Sequence, residues 1–205
     1  MTYRDRRDAG AALARELTGD PTTVVLGLVR GGLPVAAEVA RHLNAPLDAL
    51  IVRKLGVPWA PEVAFGAVGP GGVKVLNDAI AARLSEATVA AVIRHEEAEL
   101  TRREKRYRFG RPPLNLAGCC AVLVDDGLAT GATARAAVEV ARRLGAQHVT
   151  VAVPVGSREA VAHLSRLADR VVCPLLPVEF GAVSRYYDDF GQVSDADVIR
   201  CLNVA

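Results

Sequence analysis

The chain has 205 residues, of which 51% are hydrophobic and 23% are charged, and its formal net charge is +2 at pH 7. That length and apolar content are enough for a single packed core with a small appended lid. Because positive and negative charges nearly balance, the chain as a whole lacks the strongly basic surface that attracts nucleic acid. An aromatic content of 4% also disfavours an extended base-stacking platform.

Cysteine usage and hydropathy exclude further classes of protein. The four cysteines form no Cys-x-x-Cys pair and show no Cys/His ligand spacing, so we expect free thiols in a reducing compartment and no zinc site. The N-terminus reads as a mixed helix, and no run approaches the ~18 apolar residues of a membrane span. We therefore expect a cytoplasmic protein with no membrane partner.

Apolar runs and helical patterns alternate from the first residues onward. In chain order they predict a helix at 4–18, a buried strand at 23–29, a helix at 33–43, a second buried strand at 49–52 that ends in Arg53 and Lys54, a loop at 56–61, and a hairpin of short strands at 64–68 and 73–76. Valine-rich runs without polar alternation are typical of strands that are buried on both faces of a parallel sheet.

The remaining pattern continues the same alternation. It predicts a two-piece helical stretch at 78–108 with Ser85 as N-cap of the second piece, a third buried strand at 121–124, a helix at 133–144, a strand at 149–153, a helix at 157–167 and a strand at 171–175. The order favours an α/β fold with a doubly wound, mainly parallel, Rossmann-like sheet and right-handed crossovers. We expect one domain over residues 1–205, with a helical insertion at about 77–113.

The loop at residues 125–133 carries the most specific functional pattern. Asp125 and Asp126 follow the third buried strand, at the sheet edge where open α/β proteins bind ligands. Adjacent carboxylates accept hydrogen bonds from sugar hydroxyls and can hold Mg²⁺ directly or through water. The small and hydroxyl-bearing residues that follow, before a helix N-terminus, suit a phosphate. A sugar phosphate would fit both parts of the loop, with its hydroxyls at the two acids and its phosphate at the turn. The alternative is a strand-to-helix turn that binds no ligand.

This segment resembles the signature with which type I phosphoribosyltransferases bind 5-phosphoribosyl-1-pyrophosphate (PRPP). The resemblance implies that Asp125 and Asp126 hold the ribose hydroxyls, and that the family core covers about residues 23–175. It places the 5-phosphate against Gly127, Ala129, Thr130, Gly131, Ala132 and Thr133. Many members carry an aspartate at the position of Ala129, which puts proton transfer at this position in doubt.

Two further clusters resemble the family's pyrophosphate site. Gly31 and Gly32 free the backbone to point N–H groups at an anion, and Arg30 adds charge-assisted hydrogen bonds. Lys54 aligns with a family position that binds pyrophosphate. An ordinary turn at 30–32 and a solvated strand end at Lys54 are the alternatives.

Three other features relate to the edges of the expected site. By resemblance, residues of about 176–205 form a hood in which Tyr186, Tyr187 and Phe190 stack on a planar acceptor, although they equally suit packing of the tail. The basic segment at 102–111 is interpreted as a solvated helix face, a charged lid or a nucleic-acid contact, the last being the least expected. Glu62 resembles the start of a region that closes over PRPP, and a plain surface role is the alternative.

The leading hypothesis is phosphoribosyl transfer from PRPP, bound with Mg²⁺, to a nitrogenous acceptor that the sequence does not identify. In this hypothesis Asp125, Asp126, Lys54 and Arg30 carry the chemistry. A PRPP- or nucleotide-binding regulator without activity is the second hypothesis, and a phosphatase or nucleotide hydrolase is the third. The resemblance also implies a role in nucleotide metabolism and a homodimer.

Overall fold

The computed structural model describes residues 2–204, apart from the side chains of Glu62 and Val204. Its helices are α1 (Arg6–Ala14), α2 (Gly32–Leu43), α3 (Asp78–Ala81), α4 (Glu86–Tyr107), α5 (Ala132–Arg143), α6 (Arg158–Leu164) and α7 (Asp195–Val204). Its strands are β1 (Thr23–Leu28), β2 (Leu47–Leu50), β3 (Arg53–Val57), β4 (Ala60–Gly69), β5 (Val73–Leu76), β6 (Cys120–Val124), β7 (His148–Ala152) and β8 (Arg170–Val172). The role predicted for Glu62 thus lies outside what the structure describes. Within residues 2–204, no helix has the length and apolar character needed to cross a membrane.

Five strands form a parallel sheet in the order β2-β1-β6-β7-β8, which confirms the predicted α/β class with a mainly parallel sheet. Successive side chains of β1 point to opposite faces. Val25 packs in a cluster with residues of α1, α2 and α7, whereas Leu26 packs with residues of α5 and α6. Both side chains are fully buried. Burial on both faces explains why these strands read as continuous apolar runs.

The direction of winding changes between β1 and β6. From β1 the chain moves outward to β2, and it later returns to place β6 on the other side of β1. In open α/β sheets, ligands bind in the crevice at such a point, beyond the carboxyl ends of the strands. The segments that follow β1 and β6, residues 29–32 and 125–133, both lead into this crevice.

A second, antiparallel sheet of β3, β4 and β5 corrects the prediction for Arg53 and Lys54. These two residues were expected to end the strand at 49–52, on the edge that holds the ligand site. Instead β2 ends at Leu50, and Arg53 and Lys54 begin β3. The apolar run therefore spans the end of one strand and the connection to another sheet.

The predicted loop at 56–61 is also wrong. β3 continues through Val57, and only residues 58–59 form the turn into β4. Leu55 and Val57 are buried. The pairing register between β3 and β4 shifts on both sides of Gly56, so the glycine lies at a local irregularity within the strand pair. The alternating burial of β3 therefore outweighs the local glycine and proline signals. The hairpin predicted at 64–76 is confirmed by β4 and β5.

The helices α3 and α4 occupy the predicted insertion, and most arginines of its basic segment form ion pairs with other residues of the chain. The Ser85 hydroxyl caps α4. Glu99 pairs with the arginines three and four residues later. The buried guanidinium of Arg108 donates two hydrogen bonds of 2.9 Å to Asp48 in β2. The segment at 102–111 is therefore partly a helix face with local ion pairs and partly an anchor. The charged-lid and nucleic-acid interpretations stay predictions.

The C-terminal segment contains α7, which was not predicted. The Ser194 hydroxyl accepts a hydrogen bond from the N–H of Asp197 at 3.2 Å, and Asp197 Oδ2 accepts one from the N–H of Ser194 at 2.9 Å. This reciprocal cap is a recognised start signal for a helix and was present in the sequence. α7 packs against α2, α4 and β2.

Candidate active site

Asp125 and Asp126 lie directly after β6, beside β1 and within the crevice. The side chain of Asp126 is 16% exposed. Asp125 Oδ1 accepts a hydrogen bond of 2.9 Å from the N–H of Asp126, so the first acid fixes the backbone of the second. The two predicted ribose-binding residues are thus adjacent and held in a defined arrangement.

The two acids differ in how their surroundings treat a negative charge. Burial raises the pKa of Asp125 well above its ordinary value, and the carboxylate of Asp126 raises it further. Burial also raises the pKa of Asp126, but the charge and hydrogen bond of the Arg6 guanidinium oppose that increase. Of the two, Asp126 is therefore better suited to carry a negative charge.

Arg6, at the start of α1, is a site residue that sequence reasoning missed. Its Nε donates to Asp126 Oδ2 at 2.9 Å, and its Nη1 donates to the carbonyl oxygen of Gly191 at 2.8 Å. The guanidinium carbon lies 4.0 Å from the centre of the Phe190 ring. No local signal reveals these contacts, because the partners lie 120 or more residues away.

Gly31 and Gly32 lie against the two acids. A Cβ atom on Gly31 would lie 2.2 Å from Asp126 Oδ2. A Cβ atom on Gly32 would lie 2.4 Å from the carbonyl oxygen of Val124 and 2.9 Å from the Cα of Asp125. The turn after β1 therefore passes so close to the end of β6 that only glycine fits at either position.

The side chain of Arg30 takes a different direction. The Val29–Arg30 peptide bond is cis. Arg30 Nη1 lies 3.7 Å from Asp195 Oδ1, at the start of α7, and the arginine side chain is 37% exposed. The guanidinium predicted to bind pyrophosphate thus faces a carboxylate of this chain.

The 125–133 loop is held in place from the neighbouring strand β7 and its following turn. The N–H of Leu128 donates to the carbonyl oxygen of Val155 at 2.9 Å. The Ser157 hydroxyl donates to the carbonyl oxygen of Ala129 at 2.8 Å, and the same hydroxyl caps α6. The loop is therefore a fixed part of the sheet edge.

The end of this loop has the features of an anion-binding turn. Gly131 has a φ of +70° and is the N-cap of α5. Thr130 and Thr133 are exposed, and the N–H of Ala132 donates to Thr130 Oγ1 at 3.4 Å. The first-turn amides of a helix have no acceptor within the helix, and the helix dipole places positive charge there. The turn can therefore offer amides and hydroxyls to a phosphate.

Comparison with known proteins agrees with this geometry. The family described as "Phosphoribosyl transferase domain" matches residues 4–190. The chain belongs to the phosphoribosyl transferase family. The crystal structure of TT1426 from Thermus thermophilus has 46% sequence identity and a TM-score of 0.91, over 98% of each chain.

Two further relatives say less about the function of this chain, because each match covers only part of at least one of the two proteins. A Mycobacterium tuberculosis protein, whose name suggests a phosphoribosyl transferase without stating an acceptor, is 51% identical over 207 residues, which cover 99% of this chain and 47% of the relative. The chain therefore spans about half the length of that curated relative. The adenine phosphoribosyltransferase of Kineococcus radiotolerans is 42% identical, but over only 89 residues and 38% of this chain.

In this member of the family, Lys54 is not positioned as the sequence suggested. It lies near the start of β3, in the antiparallel sheet, and its side chain is exposed. Its neighbour Arg53 pairs with Glu96 of α4 at 2.7 Å. Lys54 thus belongs to a different sheet from the acids, and its contact with pyrophosphate stays a prediction.

Tyr187, one of the three aromatic residues predicted to contact an acceptor, is buried beside the acids. Its hydroxyl donates to the carbonyl oxygen of Asp126 at 2.6 Å. Its ring centre lies 5.8 Å from that of Tyr3 and 5.0 Å from that of Phe190. Stacking of Tyr187 on an acceptor does not fit this enclosure. The ring instead packs the tail against the N-terminal segment, and its hydroxyl supports the 125–133 loop.

Tyr186 and its neighbours form the part of the tail that lies over the loop. Tyr186 stacks on Phe180 with ring centres 5.7 Å apart, and its hydroxyl donates to the carbonyl oxygens of Glu179 and Phe180. Val183 lies against Gly127, where a Cβ atom would approach it to 2.6 Å. This segment therefore lies on the loop that follows the acids, while acceptor contacts by Tyr186 and Phe190 stay predictions.

Proposed function

We propose that this chain binds PRPP with Mg²⁺ across the crevice between β1 and β6 and transfers its phosphoribosyl group to a nitrogenous acceptor. The observation that carries the proposal is the meeting of two partly buried acids, an anion-binding turn and the Gly31-Gly32 backbone at one crevice. Sugar hydroxyls need acceptors and phosphates need donors, and the 125–133 loop supplies both within a few residues.

The proposed roles follow the chemistry of each group. Asp125 and Asp126 orient the ribose hydroxyls and favour positive charge on the ring as the bond from C1 to pyrophosphate breaks. The 5-phosphate lies against the turn formed by Gly127, Ala129, Thr130, Gly131, Ala132 and Thr133. The electron pair of the broken bond leaves with pyrophosphate, which the amides of Gly31 and Gly32 and the charges of Arg30 and Lys54 stabilise. The acceptor nitrogen forms the new bond to C1.

The acids also fit the Mg²⁺ that the family resemblance implies. Carboxylate oxygens are the ligands that Mg²⁺ prefers, and this ion is commonly bound by one or two carboxylates together with substrate phosphates. Asp125 and Asp126 would hold the ion, directly or through water, together with oxygens of PRPP. The ion would neutralise charge on the leaving pyrophosphate.

The test is calorimetric titration of PRPP in the presence of Mg²⁺. We expect the wild type to bind PRPP. The double variant Asp125→Asn/Asp126→Asn should lose at least about 100-fold in affinity while it stays folded, since each of the two acids would make a charge-assisted contact with the ligand. The matched control is Asp188→Asn/Asp189→Asn, which changes a second pair of adjacent aspartates that, unlike Asp125 and Asp126, are exposed. A wild type that binds no PRPP contradicts the proposal at its first step.

A regulator that binds PRPP or a nucleotide without catalysis is the second candidate, and Ala129 favours it. This residue lies exposed at the mouth of the turn, and its methyl group cannot accept a proton from an acceptor. A screen of nucleobases and small amines with PRPP decides between the two. Release of pyrophosphate with any acceptor supports the transferase, and tight PRPP binding without release supports the regulator.

A further inference from the structure

Arg6 contacts the ribose-binding acids from a part of the chain that the predicted site does not include. Its side chain is 12% exposed, and it binds Asp126 in the crevice and Gly191 in the C-terminal segment at the same time. The Phe190 ring lies against the guanidinium at 4.0 Å. A partly buried arginine with two hydrogen bonds and an aromatic neighbour has a fixed direction.

The hydrogen bond from Arg6 gives the two oxygens of the Asp126 carboxylate different roles. Oδ2 accepts the hydrogen bond from Arg6 and lies where Gly31 has no side chain. Among the hydrogen bonds of residues 2–204, none reaches Oδ1 of Asp126. The backbone of Asp126 is fixed as well, because its carbonyl oxygen accepts from the Tyr187 hydroxyl and its N–H donates to Asp125. One oxygen is thus committed to Arg6, and the other remains available to a ligand.

We propose that Arg6 is a positioning residue for the sugar site: it binds Oδ2 of Asp126 and thereby presents Oδ1 to a ribose hydroxyl. The inference rests on the proposed function for the identity of the ligand. It adds that the site is completed by α1 and by the segment around Gly191, which meet at Arg6 although they lie 185 residues apart.

A purely structural ion pair is the competing explanation. Arg6 also joins the two ends of the chain, so its loss could lower stability without acting on the sugar. The two explanations differ in what they predict for different ligands. Loss of positioning weakens only ligands that carry the ribose hydroxyls, whereas a general defect of the crevice weakens every anion equally.

The experiment compares ribose 5-phosphate with inorganic phosphate, without added metal, in wild type, Arg6→Gln, Arg6→Lys and Arg7→Gln. Calorimetry gives the two affinities, and thermal unfolding shows that each variant is folded. Arg7 is the matched control, since it is the next residue of α1 and is exposed. We expect Arg6→Gln to weaken ribose 5-phosphate about ten-fold and inorganic phosphate less than about two-fold, in line with the loss of a charge-assisted hydrogen bond. Arg7→Gln should change neither.

Arg6→Lys keeps the charge but cannot make both hydrogen bonds in the same geometry, so an intermediate loss for ribose 5-phosphate is expected. It also provides the measurement if Arg6→Gln does not fold. Equal losses for both ligands, or no loss for ribose 5-phosphate in either variant, overturn the inference. A wild type that binds ribose 5-phosphate but not PRPP contradicts the proposed function and leaves the role of Arg6 to be decided by the same comparison.

Discussion

Two arginine–aspartate contacts flank the crevice, and they are built differently. Arg6 and Asp126 form a hydrogen bond of 2.9 Å, with side chains 12% and 16% exposed. Arg30 and Asp195 approach only to 3.7 Å, with side chains 37% and 27% exposed. Contacts within the chain therefore hold the proposed sugar side of the crevice in a defined arrangement. On the proposed pyrophosphate side, Arg30 keeps donors that remain accessible.

This difference implies that substitutions on the sugar side should cause large effects on both stability and binding. On the pyrophosphate side, effects should be smaller and mainly electrostatic. Exposed ion pairs contribute little because water and salt screen them, whereas buried groups that lose a partner or gain a clash cost several times more. The following predictions test the contrast from its strongest to its weakest expected effect.

The largest effect is expected for Gly31→Ala. Gly31 has φ −58° and ψ −33°, which any residue can adopt, so the only obstacle is the Asp126 carboxylate 2.2 Å from the new Cβ atom. We expect a loss of about 2–3 kcal/mol in the free energy of unfolding, as in other overpacked sites, together with loss of ribose 5-phosphate binding. Denaturant unfolding and calorimetry measure the two effects.

Gly19→Ala is the matched control for this substitution, because its nearest neighbouring atom would lie 3.4 Å away, in ordinary contact. A double-mutant cycle with Asp126→Ala tests the cause directly. If the clash is responsible, the two substitutions together cost less than the sum of their separate costs. If Gly31→Ala is as stable as the wild type, the two loops can move apart to accommodate the methyl group. That outcome would contradict a tightly held sugar side.

A smaller effect is expected for Asp125→Asn, which should raise the stability of the protein and weaken its binding of PRPP. Burial raises the pKa of Asp125 above the value of 3.8 that it has in an unfolded chain. As pH rises from 3.8 towards that raised pKa, the unfolded chain releases a proton that the folded protein keeps, so the acid lowers stability progressively. Asparagine removes this cost while still accepting the hydrogen bond from the N–H of Asp126.

Thermal unfolding of the metal-free protein between pH 3 and pH 8 tests this prediction. We expect Asp125→Asn to be more stable than the wild type by about 1 kcal/mol at pH 7, with the difference disappearing near pH 3. The same variant should bind PRPP more weakly. A variant that is less stable at pH 7 would show that the ionised acid is favoured in the folded protein.

The sequence predicted the parts of the fold and site that depend on neighbouring residues. β1 and β6 were evident from their continuous apolar runs, and the acids and glycines that follow these strands meet because parallel strands end at the same edge. The helix α7 was also encoded locally, in the reciprocal cap of Ser194 and Asp197, and was overlooked. Local chemistry was therefore sufficient for the crevice and for both of its loops.

What the sequence could not show depends on contacts between distant segments. Arg6 received no role from the sequence, because its partner Asp126 lies 120 residues away. For Tyr187 the sequence left open stacking on an acceptor or packing of the tail, and only the folded chain, which places it between Tyr3 and Phe190, decides for packing. Lys54 was assigned to the wrong sheet, because an apolar run does not reveal where one strand ends and the next begins.

The smallest effect is expected for Asp195→Asn on the pyrophosphate side. The Asp195 carboxylate accepts a hydrogen bond of 2.6 Å from the Tyr107 hydroxyl and pairs with Arg106 at 2.6 Å, so it is a fixed counter-charge for Arg30. These partners lower the pKa of Asp195, the Tyr107 hydrogen bond most of all, so it is ionised at neutral pH. Its removal leaves the positive charge around Arg30 uncompensated.

We therefore expect Asp195→Asn to tighten the binding of inorganic pyrophosphate by about two- to five-fold at low ionic strength, and the gain to disappear at high salt. Asp197→Asn is the control, since it removes a carboxylate from the same turn of α7 that pairs with Arg200 rather than with Arg30. Weaker pyrophosphate binding in Asp195→Asn would reverse the interpretation, because it would mean that Asp195 orients Arg30. The proposed pyrophosphate side would then be held by contacts within the chain in the same way as the proposed sugar side.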